Sequence, residues 1–214
     1  MKDSQSNLVQ GRTRWRRFAA LMVPTTAVAG AIVIGMTNGA IAASFAVSGQ
    51  TFKVSASRLV GTSFAQYGGV ASENGADENN PLDPKNHPVV VSAIADADLY
   101  DLCQSVKVPD RLTPVPIILK INAGGGGTPA SAHNLLIDMD SLKGNATFTN
   151  IEIGRDAADL GAPEKFAGTF GQSADEVVIT DLKQVARATS AGTFSLTGLS
   201  LGLEVGPQAT ECFE

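Results

Sequence analysis

Two cysteines, Cys103 and Cys212, are the residues best suited to covalent chemistry in this 214-residue sequence. An even pair in an oxidising compartment indicates one disulfide. It would close a loop of about 110 residues, which the loop-entropy estimate values at about 4–5 kcal/mol. A metal pair or a catalytic thiol is the alternative, but neither cysteine has a second ligand or a histidine nearby in the sequence. We therefore predict a Cys103–Cys212 disulfide that ties down the C-terminus.

Serine and histidine are the next candidates, because an ester hydrolase needs a nucleophile and a base to activate it. The only histidines are His87 and His133, and no G-x-S-x-G elbow occurs. Ser63 and Ser173 lie in the nearest fragments, which lack the second glycine of that elbow. His87 precedes a proline in a polar loop and His133 begins a strand-like segment, so both are expected to be surface histidines. A catalytic set is not evident.

Carboxylates in the polar loop of residues 71–88 raise the question of calcium. Four acidic residues lie among asparagines there: Glu73, Asp77, Glu78 and Asp83. Their spacing does not match an EF-hand loop, and no glycine occupies the turn position of that motif. The sequence favours a solvated surface loop.

Two D-x-D pairs, Asp96 with Asp98 and Asp138 with Asp140, are a further candidate for metal binding or acid–base chemistry. Alternation along a strand would place both carboxylates of a pair on one face. The same pattern is typical of the wet face of a half-buried strand. We expect that second role, and the sequence indicates neither a metal nor any other cofactor.

A glycine-rich stretch at residues 124–127 resembles a phosphate-binding loop, because bare backbone amides can cradle phosphate. The lysine and the following helix of such a loop are missing. A connection between strands is the simpler interpretation.

Strands must position these residues, because no stretch keeps a 3.6-residue period over three turns. Three strand-like segments recur at intervals of 46 and 42 residues, namely 89–91, 135–137 and 177–179. In two of these units the apolar alternation shifts by one, at Asn150 and at Gly198, which indicates a β-bulge or a tight corner. We predict an all-β single domain of short antiparallel strands, either a sandwich or a rolled, prism-like structure, with weak internal repeats.

The N-terminus carries the parts of an export signal. A long apolar run, residues 18–35, follows four arginines: Arg12, Arg14, Arg16 and Arg17. Small residues at 40 and 42 then suit a signal peptidase. We predict a signal peptide over residues 1–42, cleaved after Ala42 or alternatively after Ala43, and an exported β-domain over residues 43–214.

A retained membrane anchor is the alternative for this N-terminal apolar helix. Residues 18–42 are long enough to span a bilayer of roughly 30 Å. Glycine, threonine and asparagine dilute the run near its end, which favours cleavage. Either outcome places residues 43–214 outside the cytoplasm, in the extracellular space or at the cell envelope.

Charge excludes one class of partner. The first 42 residues hold five of the 16 basic residues and one of the 21 acidic residues, so the remainder carries a net charge of −9. Like charge repels nucleic acid and anionic membrane faces. We expect no nucleic-acid partner.

Several motifs resemble a family of exported actinobacterial proteins that carries only a domain-of-unknown-function label. They are RWRRFA at 14–19, ASFAVSGQTFKVSA at 43–56, QYGG at 66–69, LCQSV at 102–106 and ATSAGTFSLTGL at 188–199. The resemblance covers residues 12–212 and implies an extracellular or envelope setting. Some members bear the name cholesterol esterase, and members are often encoded beside a small multi-span membrane protein. The resemblance supplies no catalytic residues.

These observations favour an exported β-domain that binds a partner without catalysis, the partner being a membrane protein or a lipid at the envelope. A secreted lipid-ester hydrolase, like the cholesterol esterase of the family name, is one alternative. It would require Ser63 or Ser173 to meet His87 or His133 across the fold. A calcium-dependent adhesive module is the other alternative. The sequence specifies no oligomeric state.

Overall fold

The computed structural model describes residues 48–77, 80, 82–109, 112 and 115–214. The predicted signal peptide, with its apolar helix and the cleavage positions Ala42 and Ala43, lies outside the described residues and stays a prediction. The described residues belong to one compact unit.

Nine strands make up a single antiparallel sheet in the described part of the chain. They are β1 (Phe52–Ser72), β2 (Asn86–Tyr100), β3 (Leu102–Lys107), β4 (Ile117–Ala123), β5 (Ala130–Thr149), β6 (Glu152–Asp156), β7 (Phe170–Ser190), β8 (Thr193–Ser195) and β9 (Ser200–Val205). Two short 3₁₀ turns, Ala157–Leu160 and Glu164–Phe166, separate β6 from β7. The prediction of an all-β fold is confirmed.

The pairing of the four longest strands is cyclic. β1 pairs with β2, β2 with β5, β5 with β7, and β7 returns to β1. A sandwich needs two sheets, so that half of the prediction is wrong, whereas a rolled sheet agrees with this ring. The three segments predicted to repeat lie in β2, β5 and β7. β3, β4 and β9 extend the sheet from β1, and β6 and β8 are attached to β7 and β5.

The prediction of short strands is correct for five of the nine strands, which have three to seven residues. It is wrong for the ring strands, since β1 and β7 each run for 21 residues and β5 for 20. Residues with positive φ interrupt the alternation without ending the pairing. Ser63 in β1 and Asn134 in β5 both have φ of 51°. They lie at the same level on either side of Ala95 in β2, because all three residues are passed over in the register of paired residues. Such interruptions bend a strand. We infer that three neighbouring strands bend together along this line.

The predicted corners at Asn150 and Gly198 are confirmed. Both residues have positive φ (53° and 69°). Asn150 separates β5 from β6, and Gly198 separates β8 from β9. The shift in alternation therefore marked a turn between two strands at each place.

Two apolar clusters lie on opposite faces of β5. Ile137 and Met139 belong to the larger cluster, with Leu59, Ile94 and other inward residues of the ring strands. Leu136 packs against the smaller one, which contains Tyr67, Val91 and Ala188. Neighbours along a strand point to opposite faces, which accounts for the division. The 3₁₀ turn Ala157–Leu160 covers the smaller cluster.

Asp156 fixes that covering turn in place. Its Oδ1 accepts hydrogen bonds from the backbone N–H of Ala158 (3.0 Å) and of Gly168 (2.9 Å). One carboxylate therefore holds both ends of the segment between β6 and β7. The single helical turn at this place agrees with the capping role of aspartate.

Candidate functional site

The disulfide predicted from sequence joins Cys103 of β3 to Cys212, 109 residues further on. The C-terminal segment around Cys212 also has polar contacts with the sheet. Lys53 Nζ lies 2.9 Å from Glu211 Oε2 and donates to the Phe213 carbonyl at 2.9 Å. The Cys212 N–H donates to the hydroxyl of Ser105, which is fully buried (3.0 Å). The segment is thus a fixed layer on the sheet.

The two histidines are engaged with carboxylates at separate places. His87 Nε2 is 2.8 Å from Glu73 Oε1, and His133 Nδ1 is 2.5 Å from Asp96 Oδ1. In the part of the chain that the structure describes, neither ring is hydrogen-bonded to Ser63 or to any other serine. The geometry does not assemble the base that a serine hydrolase requires.

The candidate nucleophiles themselves are brought together. Ser63 of β1 and Ser173 of β7 line one cleft of about 430 Å³. No described histidine lines it, and its charged members are Glu152, Arg155 and Asp175. The cleft is a polar surface feature in which neither serine has an imidazole to accept its proton.

The D-x-D pairs do not form a common site. Asp96 is hydrogen-bonded to His133, whereas Asp140 Oδ1 accepts a hydrogen bond from Arg187 Nε at 2.6 Å. Among the described residues there is no group of three or more Asp, Glu, His or Cys side chains arranged to hold a metal.

The acidic loop has its own internal hydrogen bonds. Asp83 accepts from the N–H of Asp77 (2.8 Å) and of Lys85 (2.9 Å), and these backbone donors hold the pKa of its carboxyl below the usual value. Glu73 is bonded to His87, and Glu78 lies outside the described residues. The described carboxylates of the loop thus stabilise turns.

The glycine-rich stretch connects β4 to β5. The N–H of Gly124 donates to the Thr197 carbonyl (2.7 Å), and its own carbonyl accepts from the N–H of Asp101 (2.8 Å). The first residue of the stretch therefore joins three parts of the sheet, as a structural connection would.

Asp138 is the carboxylate whose environment is most unusual. It is half-buried beside the smaller cluster, and burial raises its pKa above the ordinary value. The pKa of Tyr67 is also raised, first by burial and then by the negative charge of Asp138. A carboxylate at this point is disfavoured in its charged form.

Replacing Asp138 by asparagine is expected to raise the unfolding temperature at pH 7, because the amide keeps the shape and removes the buried charge. The folded-state pKa exceeds the unfolded one, so the unfolded chain releases its proton first as pH rises. Wild-type stability should therefore fall from about pH 4 upward until the folded carboxyl ionises. The D138N variant should lose this dependence in thermal unfolding scans. D98N, with the same change of net charge, is the control, and an unfolding temperature of D138N at or below that of wild type would contradict the expectation.

An exposed apolar surface lies at the far end of the sheet. β4 and β9 pair so that Ile117 opposes Val205, Leu119 opposes Leu203, and Ile121 opposes Leu201. We call these six side chains the β4–β9 face. Leu201, Leu203 and Val205 are 61%, 66% and 62% exposed. Scattered exposed apolar residues are ordinary, but a contiguous set marks an interaction surface.

The opposite side of β4 and β9 is covered by the C-terminal segment. Lys120 Nζ lies 2.8 Å from Glu204 Oε1 and donates to Thr210 Oγ1 at 3.3 Å. The Thr210 N–H in turn donates to Glu204 Oε2 at 2.9 Å. The charges of these strands are therefore paired on the covered side, which leaves the β4–β9 face wholly aliphatic.

A cavity of about 20 Å³ beside the larger cluster is bordered by Leu59, Leu135 and Leu182 and has room for about one water molecule. This cavity is too small for an acyl chain. No helix within the described residues is both long and apolar enough to cross a membrane.

Fold and surfaces together define a class: an all-β domain of one rolled antiparallel sheet, with a disulfide that holds its C-terminal segment, a polar cleft and an apolar edge strand. Over residues 48–213 the chain matches the model of a family of unknown function, DUF6230, and it belongs to that family. No curated protein and no solved structure matches the chain. The resemblance noted in the sequence is thus confirmed as membership of a family of unknown function.

Proposed function

We propose that this protein is an exported binding module that acts at the cell envelope without catalysis, and that the β4–β9 face binds a partner protein. The observation that carries the proposal is the row of three aliphatic side chains on β9, each more than 60% exposed. Burying such a side chain contributes about 1.5–3 kcal/mol. An occupant of matching shape would thus bind with useful affinity.

The position of β9 supports a protein partner over a lipid. β9 ends the order of strands in the sheet, so its outer backbone edge has no strand partner among the described residues. An extended segment of another protein can add to such an edge, matching its backbone hydrogen bonds and covering alternate side chains. A lipid tail offers no hydrogen bonds to that edge. The partner strand is expected to be aliphatic on one face.

Export is supported by the arginine-led apolar run at the N-terminus and by the disulfide, which is compatible with an oxidising compartment. The net charge of −9 beyond residue 42 disfavours attachment to anionic lipid headgroups. The first point favours export, and the second favours a protein partner over an anionic membrane surface.

Site-specific photocrosslinking in the producing cells tests the proposal. The full chain carries a photoreactive amino acid at position 203, and a second chain carries it at position 153, where Ile153 of β6 is equally exposed at 66%. An adduct with an aliphatic peptide of one protein is expected at 203 and not at 153. Leu201→Lys should reduce that adduct about tenfold or more, since about 1.4 kcal/mol of lost binding suffices, whereas Ile153→Lys should leave it unchanged.

Other outcomes overturn the proposal. Adducts consisting of lipid, or equal adducts at 203 and 153, would show that the face does not recognise a protein. An adduct at 203 that survives Leu201→Lys would show that contact there is incidental.

An ester hydrolase is the second candidate, favoured by the shared position of Ser63 and Ser173 in one cleft. Covalent labelling of either serine by a fluorophosphonate would support it. The hydrogen bonds of His87 and His133 to carboxylates elsewhere make it the weaker candidate.

A further inference from the structure

The two strands that end the sheet differ in how their outer edges are protected. Natural sheets protect an edge with charged side chains, prolines or bulges, because an unprotected edge pairs with other strands. β6, at one end, has a register shift between Ile153 and Arg155 and also carries Glu152 and Asp156. β9, at the other end, has neither a proline nor a register shift, and its only charged residue is Glu204. Of these two edges, β9 is the one left open to pairing.

Glu204 does not protect the edge of β9. Its carboxylate lies on the covered side of the strand, where it contacts Lys120 Nζ and accepts from the N–H of Thr210. The other side of β9 carries only its aliphatic row. A strand that adds to this edge must therefore be aliphatic on one side and must fit beside Glu204 on the other.

Gly202 leaves an open space on that covered side. It is paired with Lys120 of β4, and a Cβ at its position would meet nothing within 4 Å. A side chain of an added strand can therefore lie over Gly202. Lys120 has three N–H donors, of which Glu204 and Thr210 take two. An acidic side chain over Gly202 can accept the third.

The sequence of β9 itself meets these requirements. Resting on the proposed function, we propose that the partner at the β4–β9 face is a second copy of this chain, whose β9 pairs antiparallel with the first about a two-fold axis at Leu203. Leu203 then opposes its own equivalent, and Leu201 opposes Val205 of the second copy. Gly202 opposes Glu204 of the second copy, which brings that carboxylate to the open space beside Lys120. The two-fold axis makes each of these contacts twice.

The neighbouring registers fit less well. A strand must slide by two residues to keep its aliphatic side on the same face. An axis at Glu204 would set two glutamates directly opposite each other, which is destabilising. An axis at Gly202 would place Glu204 opposite Ser200, which is paired with Asn122 instead of Lys120. The charges therefore select the axis at Leu203.

Net charge acts against self-association of this chain, since residues 43–214 carry −9. At physiological ionic strength, however, exposed charges are screened beyond about 8 Å. The contact of Lys120 with Glu204 of the second copy is shorter than that and lies on the covered side. The local pairing therefore decides whether two copies associate.

Photocrosslinking of the full chain in the producing cells tests the proposal. One chain carries a photoreactive amino acid at position 203, and the control chain carries it at position 153 of the protected strand β6. At 203 we expect a covalent dimer of this chain on a reducing denaturing gel. Mass spectrometry should find the crosslink in the peptide that contains Leu203 of the other copy. At 153 no covalent dimer is expected.

Two substitutions of Gly202 test the register. Gly202→Glu sets a carboxylate opposite Glu204 of the second copy and should reduce the covalent dimer about tenfold or more. Gly202→Lys is the matched control, because it removes the same glycine but sets an opposite charge there, and it should leave the dimer near the wild-type amount. Neither new side chain meets an atom of its own chain at its Cβ, so both variants should keep the circular dichroism of wild type.

The outcomes separate this proposal from the function on which it rests. An adduct at 203 with a different protein would exclude the second copy and leave the binding of a partner protein standing. Adducts with lipid alone, or no adduct, would overturn both. Covalent dimers in equal amount at 203 and 153, or equal effects of Gly202→Glu and Gly202→Lys, would contradict the proposed pairing.

Discussion

Replacing Cys103 and Cys212 together by serine is expected to lower the free energy of unfolding by about 2–5 kcal/mol. The bridge closes a loop of 109 residues, so its removal enlarges the unfolded ensemble substantially. It also releases a C-terminal segment that is otherwise held by Lys53 and Lys120 at its polar contacts. Urea unfolding followed by circular dichroism, with the m-value compared between variants, measures the change.

The Ser105→Ala variant distinguishes the contribution of the disulfide to stability from that of the neighbouring hydrogen bond. The Ser105 hydroxyl is fully buried and accepts from the Cys212 N–H, so its loss should cost about 1 kcal/mol while the disulfide stays intact. Reducing the wild-type disulfide should reproduce the effect of the double serine variant. A double variant within about 0.5 kcal/mol of wild type, which is the range of neutral surface substitutions, would contradict the stapling role.

Replacing Gly124 by alanine is expected to cost about 3 kcal/mol or more. Gly124 has φ of 72°, a left-handed conformation that costs a residue with a Cβ roughly 1–2 kcal/mol. A Cβ there would also lie 2.5 Å from the Leu99 carbonyl oxygen and 2.6 Å from the Ala130 nitrogen. Both are backbone atoms of the ring strands, so relief requires the strands to move, at a further cost of about 1–3 kcal/mol. Denaturant unfolding of G124A measures the total.

Gly126 provides a matched comparison in the same turn. Its φ is 67°, but a Cβ at this position would meet nothing within 4 Å. Gly126→Ala therefore carries the conformational cost alone and should destabilise by about 1 kcal/mol. Equal losses for the two variants would show that the close approach of Leu99 and Ala130 has no energetic consequence.

Alternation of apolar residues was sufficient to predict the fold class, and the cysteine count was sufficient to predict the disulfide. Both depend on local or compositional rules. The lengths of the strands were not predictable in this way, because Ser63 and Asn134 interrupt the alternation of apolar residues within continuous strands. Both residues have positive φ within strands whose pairing continues on either side of them. This is possible because the neighbouring strand is interrupted at the same level. Such a neighbour is distant in sequence.

The surfaces were harder to predict than the fold, for a physical reason. Leu201, Leu203 and Val205 alternate as residues of a core-facing strand do, and only the arrangement of the C-terminal segment decides which side of β9 is covered. Ser63 and Ser173 were candidates on separate fragments, and the pairing of β1 with β7 brings them into one cleft.

The cyclic pairing of β1, β2, β5 and β7 also determines how much of the chain must be present before the fold can be completed. Phe52 pairs with Ala186, so the first ring strand has no complete set of neighbours until almost the whole chain is present. Contacts this distant in sequence make folding slow, and the unpaired strand edges are open to wrong partners meanwhile. Cys212 follows the last ring strand in the chain, so the disulfide likewise cannot form until nearly all of the chain is present. A chain that crosses a membrane N-terminus first would therefore complete its fold on the far side, after translocation rather than during it.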